Sequence, residues 1–168
     1  MVSIVALMRA TSKAVKRGKL PAENMLLSRK DFDKYVKLRS MGYCVLCDEP
    51  AVDAHHILER KLFPDGGYYL GNGAAVCDRH HLLCETTYIS IEAVRLAAKI
   101  GEPVLPPGFD PTLRYDKWGN IVVSDDIIIA GPLAKDPGCQ RALAAAQKAW
   151  KVYDKMPYMV DKAYVSKA

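Results

Sequence analysis

The sequence predicts an α+β fold with a short hairpin and helix at its centre and helices on both sides. Two pairs of potential metal ligands, C-x-x-C at residues 44–47 and C-x-x-H at 77–80, enclose a turn-rich stretch with two strand candidates. Apolar residues recur at helical spacing before and after this stretch. The chain is 50% hydrophobic and 26% charged, which is typical of a folded globular protein rather than a disordered one.

The segment before the first cysteine, residues 1–42, is predicted to be a basic helical arm. Gly18 and Pro21 end a first helical stretch, and Ser28 is placed as the N-cap of the next helix. The arm carries ten Lys or Arg against three acidic residues, so its net charge of +7 exceeds the +5 of the whole chain. This charge suits the phosphate backbone of a nucleic acid, and a solvated, solubilising face is the alternative.

Residues 43–101 are predicted to form the central module. Strand candidates at 52–56 and 74–77 fit a hairpin with a long irregular connection. Residues 78–85 are predicted to be the start of a helix, directly after the second strand, and Ser90 is placed as the cap of another one. The module therefore reads as two strands followed by helices.

Residues 102–168 are predicted to be a C-terminal extension with short strands and a helix. Two short apolar strands lie within 122–129, and an alanine-rich helix runs over roughly 137–153. The turn at 115–120 contains Trp118, which either stacks on a nucleic-acid base or packs on the core.

Four residues have the composition and spacing of a closed zinc site. Cys44 and Cys47 form the C-x-x-C pair, and Cys77 and His80 form the C-x-x-H pair, with 29 residues between the pairs. Three thiolates and one imidazole complete a tetrahedral shell, which is typical of a structural Zn²⁺ ion. Five cysteines are an odd number, and the chain shows no secretory signal, so metal binding is favoured over a disulfide framework.

All four histidines fall in two adjacent pairs within 27 residues, which predicts ligands and a base rather than scattered structural roles. Consecutive strand residues point to opposite faces, so one of His55 and His56 can bind an ion while its neighbour faces a water molecule. His81 points to a different side of its helix from His80. Asn72 lies in the glycine-bracketed loop between the two pairs.

In this order, His-His, then Asn, then His, residues 44–85 resemble the HNH endonuclease family. The usual form of that family is a C-x-x-C pair, an Asp-His or His-His pair, a loop Asn and a closing C-x-x-C-His. The resemblance implies a ββα-metal fold, in which two short strands and a helix hold one divalent ion. It also implies a metal-dependent endonuclease, of phage or mobile-element type, with DNA as the favoured substrate and RNA as the alternative.

Carried over by position, the resemblance implies a role for each of these residues. His56 is the general base that deprotonates the attacking water, and Asn72 braces the loop that bears it. His55 and His81 hold the catalytic ion, for which Mg²⁺, Mn²⁺, Ni²⁺ and Zn²⁺ remain open. His80 stands where the family more often has a second cysteine, and an imidazole can take that place in a zinc shell.

Further charged residues near this segment are open to two interpretations. Glu85, one helical turn beyond His81, either orients that ligand or is a solvent-exposed carboxylate. Three cations flank the segment, and each either contacts phosphates or is plain surface charge: Arg60, Lys61 and Arg79.

Two other function classes stay open beside the nuclease. A non-catalytic zinc module that binds nucleic acid needs the four zinc ligands but has no use for His55, His56 and His81. A structural or interaction protein would use those histidines for a second, non-catalytic zinc. A membrane partner is not expected, because no apolar run approaches the length of a membrane span. A cytoplasmic location is expected, in the host cytoplasm for a phage protein, and the oligomeric state is left open.

Overall fold

The computed structural model describes residues 19–153 of the 168-residue chain. The elements follow in the order α1 Arg29–Arg39, β1 Asp53–His56, β2 Gly73–Val76, α2 Asp78–Glu85, α3 Ile91–Ala97, β3 Ile121–Ser124, β4 Ile127–Ile129 and α4 Pro137–Tyr153. Two single-turn 3₁₀ helices, Arg60–Leu62 and Leu70–Asn72, lie in the connection between β1 and β2. The predicted α+β class is confirmed, and the helix predicted before Gly18 lies outside the described residues.

Strands β1 and β2 form an antiparallel hairpin, and α2 follows β2 after a single residue. His55 pairs with Ala74 and His56 with Gly73. Every residue of β2 is buried, and α2 packs on both strands. One strand–strand–helix unit therefore carries all four histidines and one of the two zinc-ligand pairs.

Helix α1 lies across this hairpin with its apolar side inward. The Ser28 hydroxyl accepts the backbone N–H of Asp31 at 3.1 Å, which caps the first turn as predicted. Phe32 and Val36 are buried against β2, where a Cβ on Gly73 would lie 2.8 Å from the Phe32 ring. The basic residues at the start and middle of the helix stay exposed on its outer side: Arg29, Lys30 and Lys34.

The C-terminal part of the described chain packs onto α2 through two elements. Helix α4 runs along α2. The turn at 115–120 is fixed by the Asp116 carboxylate, which accepts the N–H groups of Trp118 at 2.9 Å and Asn120 at 3.0 Å. Trp118 is buried and its indole N–H donates to the Glu85 carbonyl at 3.0 Å, so its ring belongs to the core.

Strands β3 and β4 form a separate two-stranded hairpin whose β4 residues are exposed. None of the helices within residues 19–153 combines the length and the apolar character that crossing a membrane requires.

Candidate metal centres

The four predicted zinc ligands converge on one point, and we call this group the Cys₃His cluster: Cys44, Cys47, Cys77 and His80. One ligand atom from each lies within 4.8 Å of all the others. The Cys47 and Cys77 sulfurs are 3.8 Å apart, and His80 Nδ1 is 3.2 Å from the Cys77 sulfur and 3.5 Å from that of Cys44. A tetrahedral zinc shell has sulfur–sulfur edges of about 3.8 Å and sulfur–nitrogen edges of about 3.5 Å. The cluster has the shape of a structural zinc site.

Burial has opposite consequences for the two kinds of ligand in the Cys₃His cluster. Burial raises the pKa of the thiols of Cys44, Cys47 and Cys77, so protein surroundings alone favour the neutral thiol. A bound cation favours the thiolate instead. Burial lowers the pKa of His80, which leaves its imidazole in the neutral form that ligates metals.

A second group of potential ligands, the His₂Glu cluster, consists of His55, His81 and Glu85. Their ligand atoms lie within 4.8 Å of one another. One carboxylate oxygen of Glu85 is 3.4 Å from His55 Nδ1 and 3.3 Å from His81 Nε2. Ligands about 2.1 Å from one divalent ion are separated by roughly 3.0 to 3.4 Å, so this spacing fits a shared ion.

His55 gives the second observation in favour of an ion in the His₂Glu cluster. Its side chain is 2% exposed, and its Nδ1 atom is buried with no hydrogen-bond partner among the described residues. Burial lowers its pKa far below the usual histidine value, so the ring is neutral and its orphaned nitrogen can act as a ligand. An unpaired buried polar atom is costly, and a metal ion would satisfy it.

Glu85 is the residue at which the structure adds most to the sequence prediction. Its side chain is only 17% exposed, so it is not a solvent-exposed carboxylate, and it faces both imidazoles. Burial acts to raise its pKa, but contact with His81 and the charge of Lys117 outweigh burial and lower it. The same contact raises the pKa of His81. The i, i+4 spacing of His81 and Glu85 on a helix was the available signal in the sequence.

His56 points to the opposite side of β1 from His55, toward α1. Its ring stacks on Phe32 with centroids 4.5 Å apart, and the Tyr68 ring lies nearly perpendicular to it at a centroid distance of 5.0 Å. Burial, reinforced by the positive charge of Lys117, lowers the pKa of His56 to about 4. The imidazole is thus unprotonated at neutral pH, as a general base must be.

Asn72 is completely buried and braces the connection between the strands. Its side-chain oxygen accepts the Leu58 N–H at 2.9 Å, and its amide nitrogen donates to the carbonyls of Leu58 at 3.1 Å and Gly67 at 3.2 Å. These bonds fix the backbone that leaves β1 just after His56. The position agrees with the bracing geometry that the resemblance implies, and its catalytic relevance stays a prediction.

Replacing Asn72 with alanine is expected to lower the free energy of unfolding by about 2–4 kcal/mol, because it leaves the buried backbone N–H and carbonyl of Leu58 without their partner. Chemical denaturation measures the loss. Gln147→Ala, which removes an exposed amide from α4, serves as the matched control and should change stability by less than about 0.5 kcal/mol. Equal stabilities of the two variants would contradict the bracing role.

The three predicted phosphate contacts lie in different surroundings. Arg60 is exposed and donates to the Tyr68 hydroxyl at 3.2 Å, beside the His56 ring. Lys61 is paired with Asp136 at 2.8 Å, just before α4. Arg79 is half-buried, and its Nε has no hydrogen-bond partner among the described residues. Of the three, Arg60 is the exposed cation that contacts a neighbour of His56, namely Tyr68.

Lys117 is a further residue of this region that the sequence did not single out. It comes from the turn at 115–120, is 3% exposed, and lies 3.2 Å from the Glu85 carboxylate.

The remaining cysteines, Cys84 and Cys139, are buried outside both clusters, and burial raises the pKa of Cys84 to about 12 and of Cys139 to about 11. They are unreactive thiols of the core.

Comparisons of this chain with protein families, with curated proteins and with solved structures give no match.

Proposed function

We propose that the protein is a metal-dependent endonuclease of the HNH type that hydrolyses phosphodiester bonds, with DNA as the favoured substrate. In this proposal the Cys₃His cluster binds a structural zinc. The His₂Glu cluster binds the catalytic divalent ion, and His56 is the general base. The exposed cations of α1 bind the nucleic-acid backbone.

The observation that carries the proposal is the placement of His55 and His56 on the two faces of one short strand. His55 belongs to the His₂Glu cluster, with an orphaned nitrogen that suits an ion. His56, its neighbour, is a half-buried residue whose neutral imidazole packs against the rings of Phe32 and Tyr68. A base next to a divalent-cation site is the arrangement that metal-assisted hydrolysis requires.

The residues of the chain divide the work of hydrolysis between them. A divalent ion in the His₂Glu cluster would supply Lewis acidity toward the scissile phosphate and the leaving oxygen. His56 accepts the proton of the attacking water; its lowered pKa keeps the ring unprotonated at neutral pH and makes it a weaker base than a free imidazole. Phe32 and Tyr68 hold the imidazole in one orientation, and Asn72 fixes the backbone that follows it.

The structural zinc site is connected to the proposed catalytic site through α2. His80, a Cys₃His ligand, and His81, a His₂Glu ligand, are adjacent residues on α2. A shift of α2 would therefore displace both clusters together. In the proposed enzyme the structural zinc fixes the helix that presents His81 and Glu85.

A cleavage assay with a metal screen tests the proposal. Purified protein is incubated with supercoiled plasmid, single-stranded DNA or RNA in the presence of Mg²⁺, Mn²⁺, Ni²⁺ or Zn²⁺. We expect nicked or linear plasmid with at least one of these ions and none after EDTA treatment. Intact substrates in every combination would contradict the proposal.

The exposed basic side of α1 also favours a second function, a zinc module that binds nucleic acid without cutting it. A gel-shift measurement run beside the cleavage assay separates the two functions. Salt-dependent binding without cleavage in any metal would favour the non-catalytic binding module. In such a module the His₂Glu cluster has no role.

A further inference from the structure

The turn at 115–120 inserts a buried ammonium group into the surroundings of the His₂Glu cluster. Lys117 Nζ lies 2.9 Å from the His56 carbonyl, 3.2 Å from Glu85 Oε1 and 3.4 Å from Glu59 Oε2. An ammonium has three N–H donors, so these three acceptors match its full donor set.

The ammonium is held where it is by the backbone on both sides. The Lys117 carbonyl accepts the N–H of Glu59 at 2.9 Å, and Asp116 and Trp118 anchor the turn as described above. The residue is 3% exposed, so the ammonium is enclosed by protein where it contacts Glu85. Lys117 is a fixed positive charge, unlike an ordinary surface lysine.

The carboxylate of Glu85 faces this charge and both imidazoles at once. Its Oε1 atom is 3.2 Å from Lys117 Nζ, 3.3 Å from His81 Nε2 and 3.4 Å from His55 Nδ1. An ion bound to the two imidazoles must share Glu85 with the ammonium. Two cations that share one carboxylate repel each other, and each lowers the affinity of the carboxylate for the other.

We propose that the Lys117 ammonium is a permanent cation of the His₂Glu cluster. It weakens the binding of a metal ion there, and it adds one positive charge to the cluster once the ion is bound. The inference rests on the second ion of the proposed function. The additional positive charge favours an anionic ligand, of which a phosphodiester is one. Lys117 is thus a positioning residue for Glu85 and a regulator of the charge of the cluster, not a ligand.

Ion binding to neutral variants of Lys117 tests this inference. Mn²⁺ is titrated into full-length protein that retains its structural zinc, and binding is followed by calorimetry. Lys117→Met is expected to bind Mn²⁺ roughly tenfold tighter or more. The reason is that the variant lacks a unit positive charge that repels the divalent ion from a few ångströms away. Lys117→Arg keeps the charge and should bind it as the unaltered protein does.

Lys61→Met is the matched control, since it removes an exposed ammonium that is paired with Asp136, and its Mn²⁺ affinity should be unchanged. Unchanged or weaker binding in Lys117→Met, with zinc content intact, would overturn the inference. If the unaltered protein binds no second ion at all, the proposed function fails as well, so the two failures are distinguishable.

A measurement on the unaltered protein covers the case in which Lys117→Met does not fold. The buried ammonium of Lys117 is expected to give a protected ¹⁵Nζ signal, assigned by its absence in Lys117→Arg. Addition of Zn²⁺ as a diamagnetic second ion should shift that signal in step with the loading of the His₂Glu cluster. A signal that stays in place through saturation of the second site would overturn the inference.

Discussion

Substitution of His56 by alanine is expected to abolish cleavage, with kcat/KM at least about 100-fold lower in every metal that supports activity. The reason is that the variant lacks the imidazole that takes the proton of the attacking water. His55, His81 and Glu85 are unchanged, so the affinity for the second ion should stay close to that of the unaltered protein. The readout is the rate of plasmid nicking together with metal content.

The control for His56→Ala must show that lost activity is not lost folding. His56 stacks on Phe32, so its removal leaves a small gap below α1. The variant should retain its structural zinc and a cooperative thermal transition. Tyr43→Ala, which removes an exposed ring outside both clusters, should nick like the unaltered protein. A His56→Ala protein that cuts at the original rate would exclude the proposed base.

Substitution of Cys44 by serine is expected to release the structural zinc and unfold the central module. Zinc ligation in small sites is worth about 10–16 kcal/mol, which is comparable with the whole stability of a typical domain, about 5–15 kcal/mol. Cys44 is buried in the main core together with Cys77, so an empty cluster leaves buried thiols where a closed metal shell stood. Zinc analysis and circular dichroism measure both effects.

Cys139→Ser is the matched control for that experiment. Cys139 is also a buried thiol, but it lies in the first turn of α4 and outside both clusters. The serine variant should keep its zinc and lose little stability. Unchanged zinc content and an unchanged melting temperature in Cys44→Ser would contradict a structural zinc in the Cys₃His cluster.

The Cys₃His cluster was predictable because its information is local. Each ligand pair has two-residue spacing, which a single turn can aim at one ion, and only the meeting of the two pairs needed the fold. The caps at Ser28 and Ser90 were predictable for the same reason, since each hydroxyl bonds a backbone N–H three residues ahead. Short-range chemistry determined these features.

The surroundings of the His₂Glu cluster were not predictable in this way. Lys117 reaches Glu59 and Glu85 from another part of the chain, and no periodicity or motif links the three. Phe32 is an apolar residue of α1, but its stacking on His56 depends on how the helix crosses the hairpin. These contacts are set by tertiary packing, which one sequence does not encode in any short pattern.

The most direct test of the account follows ion loading and cleavage in one titration. Protein treated with a mild chelator is expected to keep one zinc per chain and to be inactive. Added Mn²⁺ should then restore plasmid nicking in proportion to the binding of one further ion per chain. Nicking by the one-zinc protein in the presence of chelator, or no nicking after the second ion is bound, would contradict the account.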